Sequence, residues 1–297
     1  MPVLDLIAGH LWLYLLIVAL LSLAVGSFLN VVIVRLPVMT LRQWRADCRE
    51  LLASEGTELP DPGAAEERLD LVTPRSRCPH CGHAITALEN IPVLSYVWLR
   101  GRCSACGAHI SLQYPIVESA TALLSVITAW SFGWGWPAAG ALILTWGLIA
   151  LAVIDLRTQL LPDAITLPLL WLGLLLNMAG LYTNLATAVI GATAGYLSLR
   201  LVYHLFKALT GKEGMGFGDF KLLAMLGAWM GWQVLPLVVL LSSLVGAAVG
   251  VTLILVRGQD RNVPIPYGPF LAAAGWLALL WGDEMIRAYW GLTAGPV

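Results

Sequence analysis

Five long stretches of this 297-residue chain are almost free of Lys, Arg, Asp and Glu. They cover residues 11–34, 112–154, 164–199, 222–256 and 263–282. A helix needs about 20 apolar residues to cross a bilayer, and a helix satisfies its backbone hydrogen bonds within the segment itself. The chain is also only 12% charged, about half the fraction of an average soluble domain. These features predict an all-α polytopic membrane protein.

Three of these stretches are long enough to hold two helices each. Turn-forming residues mark breaks within them at Gly133–Pro137, Tyr182–Asn184 and Trp232–Pro236. The sequence therefore predicts about eight transmembrane helices, of which the sixth, over about 219–233, is short.

The basic residues indicate the orientation. Residues 35–111 carry nine Arg, 155–163 one Arg, 207–221 three Lys and 257–267 two Arg, whereas the turns between them carry none. Because basic loops stay in the cytoplasm, eight spans place all four loops there and both termini in the periplasm. Met1–His10 contains no Lys or Arg, so we expect the first span to be retained rather than removed as a signal peptide.

The chain divides into a first transmembrane helix (1–34), a cytoplasmic loop (35–111) and a seven-helix membrane domain (112–297). The loop has nine Arg against nine acidic residues, which argues against a basic nucleic-acid surface. Its insert over 38–73 has no assigned role. The part around Glu50–Asp70 is polar and rich in Pro, Gly and Glu, so we expect it to be flexible.

Four of the five cysteines in the chain form two CxxC pairs that are separated by 21 residues: Cys78, Cys81, Cys103 and Cys106. This spacing is typical of a zinc ribbon, in which two knuckles supply four thiolates to a tetrahedral ion. Gly82 and Gly107 follow the second cysteine of each pair and suit a tight turn. Four thiolates close the coordination sphere, so the predicted role is structural. A reduced cysteine cluster without metal is the alternative.

Two aspartates adjoin apolar stretches on the predicted cytoplasmic side. Asp155 ends a hydrophobic helix, where the helix dipole disfavours a negative charge, and Asp219 follows three glycines in the segment Gly214–Lys221. Acids beside hydrocarbon are candidate functional groups. Two nearby carboxylates can share a proton, so that one activates water while the other polarises a scissile carbonyl. The alternatives are a boundary acid that reaches water for Asp155 and a helix cap for Asp219.

Two further acids have weaker signals. Asp163 follows Leu161-Pro162 and precedes an apolar run, so we expect it to be a helix N-cap. Glu118 lies about one turn inside the second predicted span, where acids usually pair or bind a ligand; its role stays open.

Several motifs occur together and in order. They are Gly26-Ser27-Phe28-Leu29-Asn30 with Arg35-Leu36-Pro37, the paired cysteines, Tyr114-Pro115 with Glu118, Asp155 with Leu161-Pro162-Asp163, Gly216–Lys221, and Ile265-Pro266-Tyr267-Gly268-Pro269-Phe270. Over nearly its whole length the chain resembles the bacterial prepilin peptidases, or type IV leader peptidases, which share a Gly-x-Gly-Asp arrangement with presenilin-like proteases.

This resemblance implies an inner-membrane enzyme that cleaves type IV prepilins and type II secretion pseudopilins on the cytoplasmic side, after a glycine and before a residue that is usually phenylalanine. It implies Asp155 and Asp219 as the catalytic aspartates and gives Asp163 a non-catalytic position. Relatives with the cysteine-bearing loop typically also methylate the new N-terminus with S-adenosylmethionine. Gly101 matches a loop position linked to methylation.

Three rival interpretations remain. A transporter would use Asp155, Asp219 and Glu118 as an ion path, but it leaves the cysteines and the Gly-x-Gly-Asp segment unexplained. A non-catalytic assembly factor would use the zinc loop for docking. A peptidase without methylation is the third.

Overall fold

The computed structural model describes residues 9–55, 69–212, 214–257 and 265–293. Within these ranges the regular structure is helical, and two isolated β-bridges lie in the cysteine loop. The expectations about the first eight residues and about the polar middle of the insert, 56–68, concern segments outside the described residues.

Eight helices of at least 14 residues and one five-residue helix follow one another in the described chain. They are α1 (Leu11–Ser54), α2 (Leu94–Trp98), α3 (Gln113–Phe132), α4 (Trp136–Thr158), α5 (Asp163–Met178), α6 (Leu185–Thr210), α7 (Phe217–Met230), α8 (Leu235–Arg257) and α9 (Gly268–Thr293), with a 3₁₀ turn at Trp232–Val234 before α8.

The eight predicted helical segments are present as α1 and α3–α9. Five helical stretches are long and apolar enough to cross a membrane, namely α1, α3, α4, α6 and Trp232–Val256, which contains α8. α5 is apolar but has only 16 residues. α7 has 14 residues, or about 21 Å at 1.5 Å per residue, against a hydrocarbon core of about 30 Å. The number of eight spans therefore stays a prediction.

The first helix is longer than its apolar stretch. Residue 34 ends the apolar run, but α1 continues past Pro37 to Ser54 and includes nearly the first half of the insert, so the end of the membrane span within α1 stays a prediction. Residues 41–54 contain three Leu, three Arg and two Ala, which are good helix formers. The appearance of charged residues therefore ends the apolar run and not the helix.

The predicted breaks coincide with specific turn chemistry. Gly133 has a φ of +67° between α3 and α4, and Gly231 has a φ of +85° at the end of α7. The side chain of Asn184 accepts a hydrogen bond from the Thr187 amide and caps α6. The last helix extends beyond the end of the charge-free stretch at residue 282 to Thr293, with a non-helical φ of −131° at Trp281.

The chain forms two compact units. The N-terminal unit comprises Leu16–Leu123, and the C-terminal unit comprises Met1–Leu15 with Leu124–Val297. In the N-terminal unit, Arg35 of α1 donates hydrogen bonds to the carbonyl oxygens of Asp70 (2.8 Å) and Pro74 (2.6 Å). Helix α1 thereby anchors the start of the cysteine loop.

Helix α7 forms the core of the C-terminal unit. Ten of its 14 residues are buried, over Asp219–Trp229 with the exception of Lys221. A helix that is apolar on all sides is stable only when other helices surround it. Within its buried stretch, α7 carries Asp219.

Two glycines allow α6 and α7 to pack at backbone distance. A Cβ atom on Gly227 would lie 2.2 Å from the carbonyl oxygen of Gly191, and one on Gly191 would lie 2.4 Å from the carbonyl oxygen of Gly227. Small residues permit such approaches between membrane helices. This contact fixes the depth at which α7 sits against α6.

Polar side chains hold the other end of α7. The indole Nε1 of Trp229 donates to the carbonyl of Leu169 at 2.8 Å. The side-chain amide of Asn177 donates to the carbonyls of Ala228 and Trp229, both at 2.9 Å. These carbonyls end the helix without intrahelical donors, so Asn177 satisfies them in the apolar interior.

Candidate active site and metal centre

Asp155 lies in the last turn of α4 and is only 5% exposed. The backbone amide of Gly268, the first residue of α9, donates a hydrogen bond to its Oδ2 at 2.9 Å. The sequence indicated an acid without a cap, and the structure supplies a partner 113 residues away. The interpretation of Asp155 as a boundary acid that reaches for water is wrong, because the carboxylate points into the protein.

Asp219 lies in the first turn of α7 and is 6% exposed. The alternative that it caps a helix beginning near Phe220 is wrong, because α7 begins at Phe217 and Gly216 occupies the cap position without a side-chain hydrogen bond. Asp219 therefore sits inside the helix, where a negative charge near the N-terminus interacts favourably with the helix dipole.

The fold brings the two aspartates to one place. The Asp155 and Asp219 carboxylates are close enough to interact electrostatically. The side chain of Leu161 lies next to Gly268, which binds Asp155, and next to Gly218, which precedes Asp219. A Cβ atom on Gly268 would lie 3.2 Å from Leu161 Cδ2, and a Cβ atom on Gly218 would lie 2.7 Å from Leu161 Cβ. The end of α4 and the starts of α7 and α9 therefore meet around Leu161, with both acids beside it.

Asp163 does not cap a helix, as the sequence predicted, but forms an ion pair. It is the first residue of α5, no side chain caps this helix, and Pro162 occupies the cap position. Instead, both carboxylate oxygens of Asp163 accept hydrogen bonds from Lys221 Nζ, at 2.7 and 2.6 Å. The ion pair links the first turns of α5 and α7, two residues from Asp219.

The four cysteines of the two CxxC pairs converge in the N-terminal unit. Their sulfur atoms all lie within 4.8 Å of one another, and the Sγ atoms of Cys78 and Cys106 are 3.8 Å apart. A tetrahedral zinc site with Zn–S distances of about 2.3 Å has edges of about 3.8 Å. The cluster therefore fits a metal ion of this kind.

The two knuckles are built alike. The Gly82 amide donates to the Cys78 carbonyl and the Gly107 amide to the Cys103 carbonyl, both at 2.9 Å. Gly82 and Gly107 have φ values of +73° and +71°, which confirms the expected tight turns.

Backbone amides and crowding act on the thiols in opposite directions. Hydrogen bonds from the backbone of Cys81 and His80 lower the pKa of Cys78 to about 7. The Ala108 amide also lowers the pKa of Cys106, but the surrounding thiols, Cys81 foremost, raise it to about 12. If all four were thiolates, their mutual repulsion would favour a cation between them, and a metal ion could supply that charge.

The side chain of His83, near the cysteine cluster, contacts Glu89 and Ser104. His83 lies 3.3 Å from both carboxylate oxygens of Glu89 and 3.4 Å from the Ser104 hydroxyl.

Gly101 closes the turn after α2. Its φ is +67°, and a Cβ atom at this position would lie 2.7 Å from the Tyr96 hydroxyl oxygen. Its amide donates to the Tyr96 carbonyl and its carbonyl accepts from the Ile110 amide. Gly101 thus ties α2 to the chain that leads into α3.

Sequence reasoning did not identify the amide of Gly268 as a partner of the acid pair. The signal was present, because Tyr267-Gly268-Pro269 was one of the motifs, but nothing in the sequence connects this motif to Asp155. The third buried carboxylate, Glu118, belongs to the N-terminal unit and is 7% exposed.

Fold and site together define a class: helical proteins with several apolar helices, a buried aspartate pair and a four-cysteine centre. Comparison with known families shows which family has these features. Residues 20–132 match the Bacterial Peptidase A24 N-terminal domain, and residues 142–251 match the Type IV leader peptidase family. The chain belongs to the type IV leader peptidase family and is an integral membrane protein.

Curated relatives extend over almost the whole chain. A protein of Aeromonas salmonicida (strain A449) is 58% identical over 96% of this chain and 97% of its own length. A protein of Pseudomonas aeruginosa is 56% identical over 97% and 98%, and one of Xanthomonas campestris pv. campestris is 48% identical over 91% and 92%. Each bears the name prepilin leader peptidase/N-methyltransferase. No solved structure matches the chain significantly.

Proposed function

We propose that this chain is a prepilin leader peptidase that also N-methylates the new N-terminal residue of its product. The names of its relatives support both activities. The observation that carries the peptidase assignment is the convergence of Asp155 and Asp219, from helices 64 residues apart in sequence, at one buried position.

The paired carboxylates suit peptide hydrolysis without a covalent intermediate. Two carboxylates at close range hold one proton between them. The ionised member takes a proton from the attacking water, and the protonated member donates a hydrogen bond to the scissile carbonyl. The Gly268 amide fixes one oxygen of Asp155, so that the other oxygen is free to face Asp219 and the water.

We place cleavage on the cytoplasmic side of the inner membrane, with both termini periplasmic. The contacts between α4 and α9 and between α5 and α7 bring the ends of four helices together at one end of the C-terminal unit. These ends adjoin three of the four basic loops, which supports a common side for these loops. The substrates would be type IV prepilins and type II secretion pseudopilins that are embedded in the lipid bilayer.

We assign the peptidase to 112–297 and methylation to the loop 35–111. The C-terminal unit contains both aspartates and the N-terminal unit contains all four cysteines, which supports this division. Zinc held by the four cysteines would stabilise the loop, and S-adenosylmethionine would supply the methyl group. The conformation of Gly101, with a φ of +67° that favours glycine, supports a role for the α2 turn in methylation.

The experiment compares the wild type with Asp155→Asn and Asp219→Asn, purified in detergent, on a prepilin with S-adenosylmethionine present. Mass spectrometry reads the loss of the leader and the gain of a methyl group. We expect wild type to do both and each variant to lose cleavage while it keeps the wild-type unfolding temperature.

Cleavage that survives in either variant would remove that residue from the mechanism and revive the transporter or assembly-factor alternative. A wild type that cleaves but adds no methyl group would leave a peptidase alone.

A further inference from the structure

Glu118 is a buried carboxylate for which the proposed peptidase mechanism has no use. It lies in the second turn of α3 and is 7% exposed. In the described part of the chain, no Lys, Arg or His side chain forms an ion pair with it. An ionised carboxylate out of water is stabilised by a paired cation, so Glu118 is a candidate to receive a cationic group or a proton.

The hydrogen-bond donor that Glu118 has comes from a neighbouring segment. The Val93 amide donates to its Oε2 at 2.8 Å. A carboxylate offers about four acceptor positions. Acceptor positions beyond the one used by Val93 can therefore serve a ligand.

The Val93 amide reaches Glu118 through a strained turn. Val93 has a φ of +61°, and the Leu94 amide donates to the Pro92 carbonyl at 2.6 Å, which closes a γ-turn around Val93. A β-branched residue rarely adopts positive φ. Such strain persists where the surroundings impose it, and it is concentrated at ligand-binding and active sites.

The position of the carboxylate is fixed from the opposite side. Helix α1 approaches α3 so closely at Gly26 that a Cβ atom there would lie 2.8 Å from the Cα of Glu118. Ser27 follows in α1 and donates to the Oδ1 of Asn90 at 3.4 Å, and Asn90 is exposed. A row of oxygen atoms thus leads from the surface at Asn90, through Ser27, to the buried Glu118.

Oxygen acceptors around a negative charge suit a cation with several N–H donors, that is, an ammonium group. A sulfonium group is also a cation, but it has no hydrogen atom to donate. This inference rests on the proposed function, in which cleavage frees an N-terminal amine that then receives a methyl group. We propose that Glu118, with Ser27 and Asn90, binds the free N-terminal ammonium of the cleaved pilin, and that Glu118 accepts the proton that this ammonium must lose.

The step balances without a further reactant. The ammonium gives one proton to the Glu118 carboxylate, and the nitrogen lone pair then forms a bond to the methyl carbon. The bond between that carbon and the sulfur of S-adenosylmethionine breaks, and its electron pair stays on the sulfur. Glu118 releases its proton to water when the product leaves.

The test uses the purified full chain and a synthetic peptide that begins with a free phenylalanine and has the sequence of a mature pilin N-terminus. This substrate needs no cleavage, so methylation is read alone. Glu118→Gln is the principal variant, because the amide oxygen still accepts from Val93 while the charge is gone. Thr121→Val is the control: Thr121 is fully buried one turn further along α3, and its hydroxyl donates to the Val117 carbonyl of its own helix at 2.7 Å.

We expect Glu118→Gln to lower kcat/KM for the peptide at pH 7 by about 100-fold and to leave the KM for S-adenosylmethionine within about threefold. An α-amino group has a pKa of about 8, so at pH 9 it is deprotonated without help and the deficit should shrink to about tenfold or less. Prepilin cleavage should be unchanged in both variants, and Thr121→Val should methylate normally.

Methylation by Glu118→Gln at near wild-type rates would overturn the inference and leave the proposed function intact. A deficit that is equal at pH 7 and pH 9, one that falls on S-adenosylmethionine instead, or a joint loss of cleavage would also overturn it. Failure of the wild type to methylate the peptide would instead contradict the methyltransferase half of the proposed function, and the inference with it.

Discussion

The Gly268 amide donates a hydrogen bond of 2.9 Å to Oδ2 of Asp155 across 113 residues of sequence. The same contact leaves no space for a side chain, because a Cβ atom on Gly268 would lie 2.7 Å from that oxygen. The first residue of α9 therefore both binds and positions an acid at the end of α4.

Gly268→Ala should reduce prepilin cleavage at least tenfold with little change in the unfolding temperature, because the added methyl group displaces the Asp155 carboxylate. Gly282→Ala in the same helix is the control, since its added Cβ would meet only ordinary contacts at 3.5 Å and beyond. Equal activity of the two variants would show that the Asp155 position does not depend on Gly268.

Asp163→Asn should leave cleavage within about threefold of wild type, because Asp163 binds Lys221 rather than the reacting atoms. The two side chains are 51% and 31% exposed, and ion pairs at such positions contribute about 0–1 kcal/mol. Cleavage assays and thermal unfolding of Asp163→Asn beside Asp219→Asn provide the measurement. A complete loss of cleavage in Asp163→Asn would place Asp163 in the catalytic group.

Gly227→Ala should destabilise the C-terminal unit, because the added methyl group would collide with the Gly191 carbonyl at 2.2 Å and push α6 from α7. Overpacking of this kind typically costs about 1–3 kcal/mol. Thermal unfolding in detergent should show a lower midpoint than in the Gly282→Ala control. An unchanged midpoint would show that the close contact between α6 and α7 does not contribute to the free energy of unfolding.

The cysteine cluster should bind one zinc ion per chain in metal analysis of the purified protein. Cys78→Ser or Cys103→Ser should lose the metal and methylation, while cleavage is less affected because the aspartates belong to the other unit. Cys48→Ser is the matched control, since Cys48 is an exposed cysteine of α1 outside the cluster. A cluster variant that keeps its full metal content would contradict the site.

Gly101→Ala should lower methylation strongly and spare cleavage, because it adds a collision with the Tyr96 hydroxyl to the strain of positive φ. Gly82→Ala is the control within the same loop: Gly82 also has a positive φ, +73°, but open space around its Cβ position. If both variants lose methylation equally, the Tyr96 contact has no part in the effect.

The helical plan could be predicted because it follows from local chemistry. Apolar stretches define the helices, and the breaks fall where Gly133, Asn184 and Gly231 provide turns. The sequence was less informative where polar residues remain helical. Arg, Glu and Leu after residue 40 look like a loop by charge but continue α1 to Ser54.

By itself the sequence determined which residues could form the two candidate sites. The CxxC spacing predicts a four-cysteine metal site because each knuckle is local, and the positions of Asp155 and Asp219 next to apolar runs single out these two acids. Only the tertiary structure decided which groups meet: Gly268 with Asp155, Lys221 with Asp163, and Val93 with Glu118. These pairs join helices or segments whose separation along the chain carries no information about distance, so packing alone brings them together.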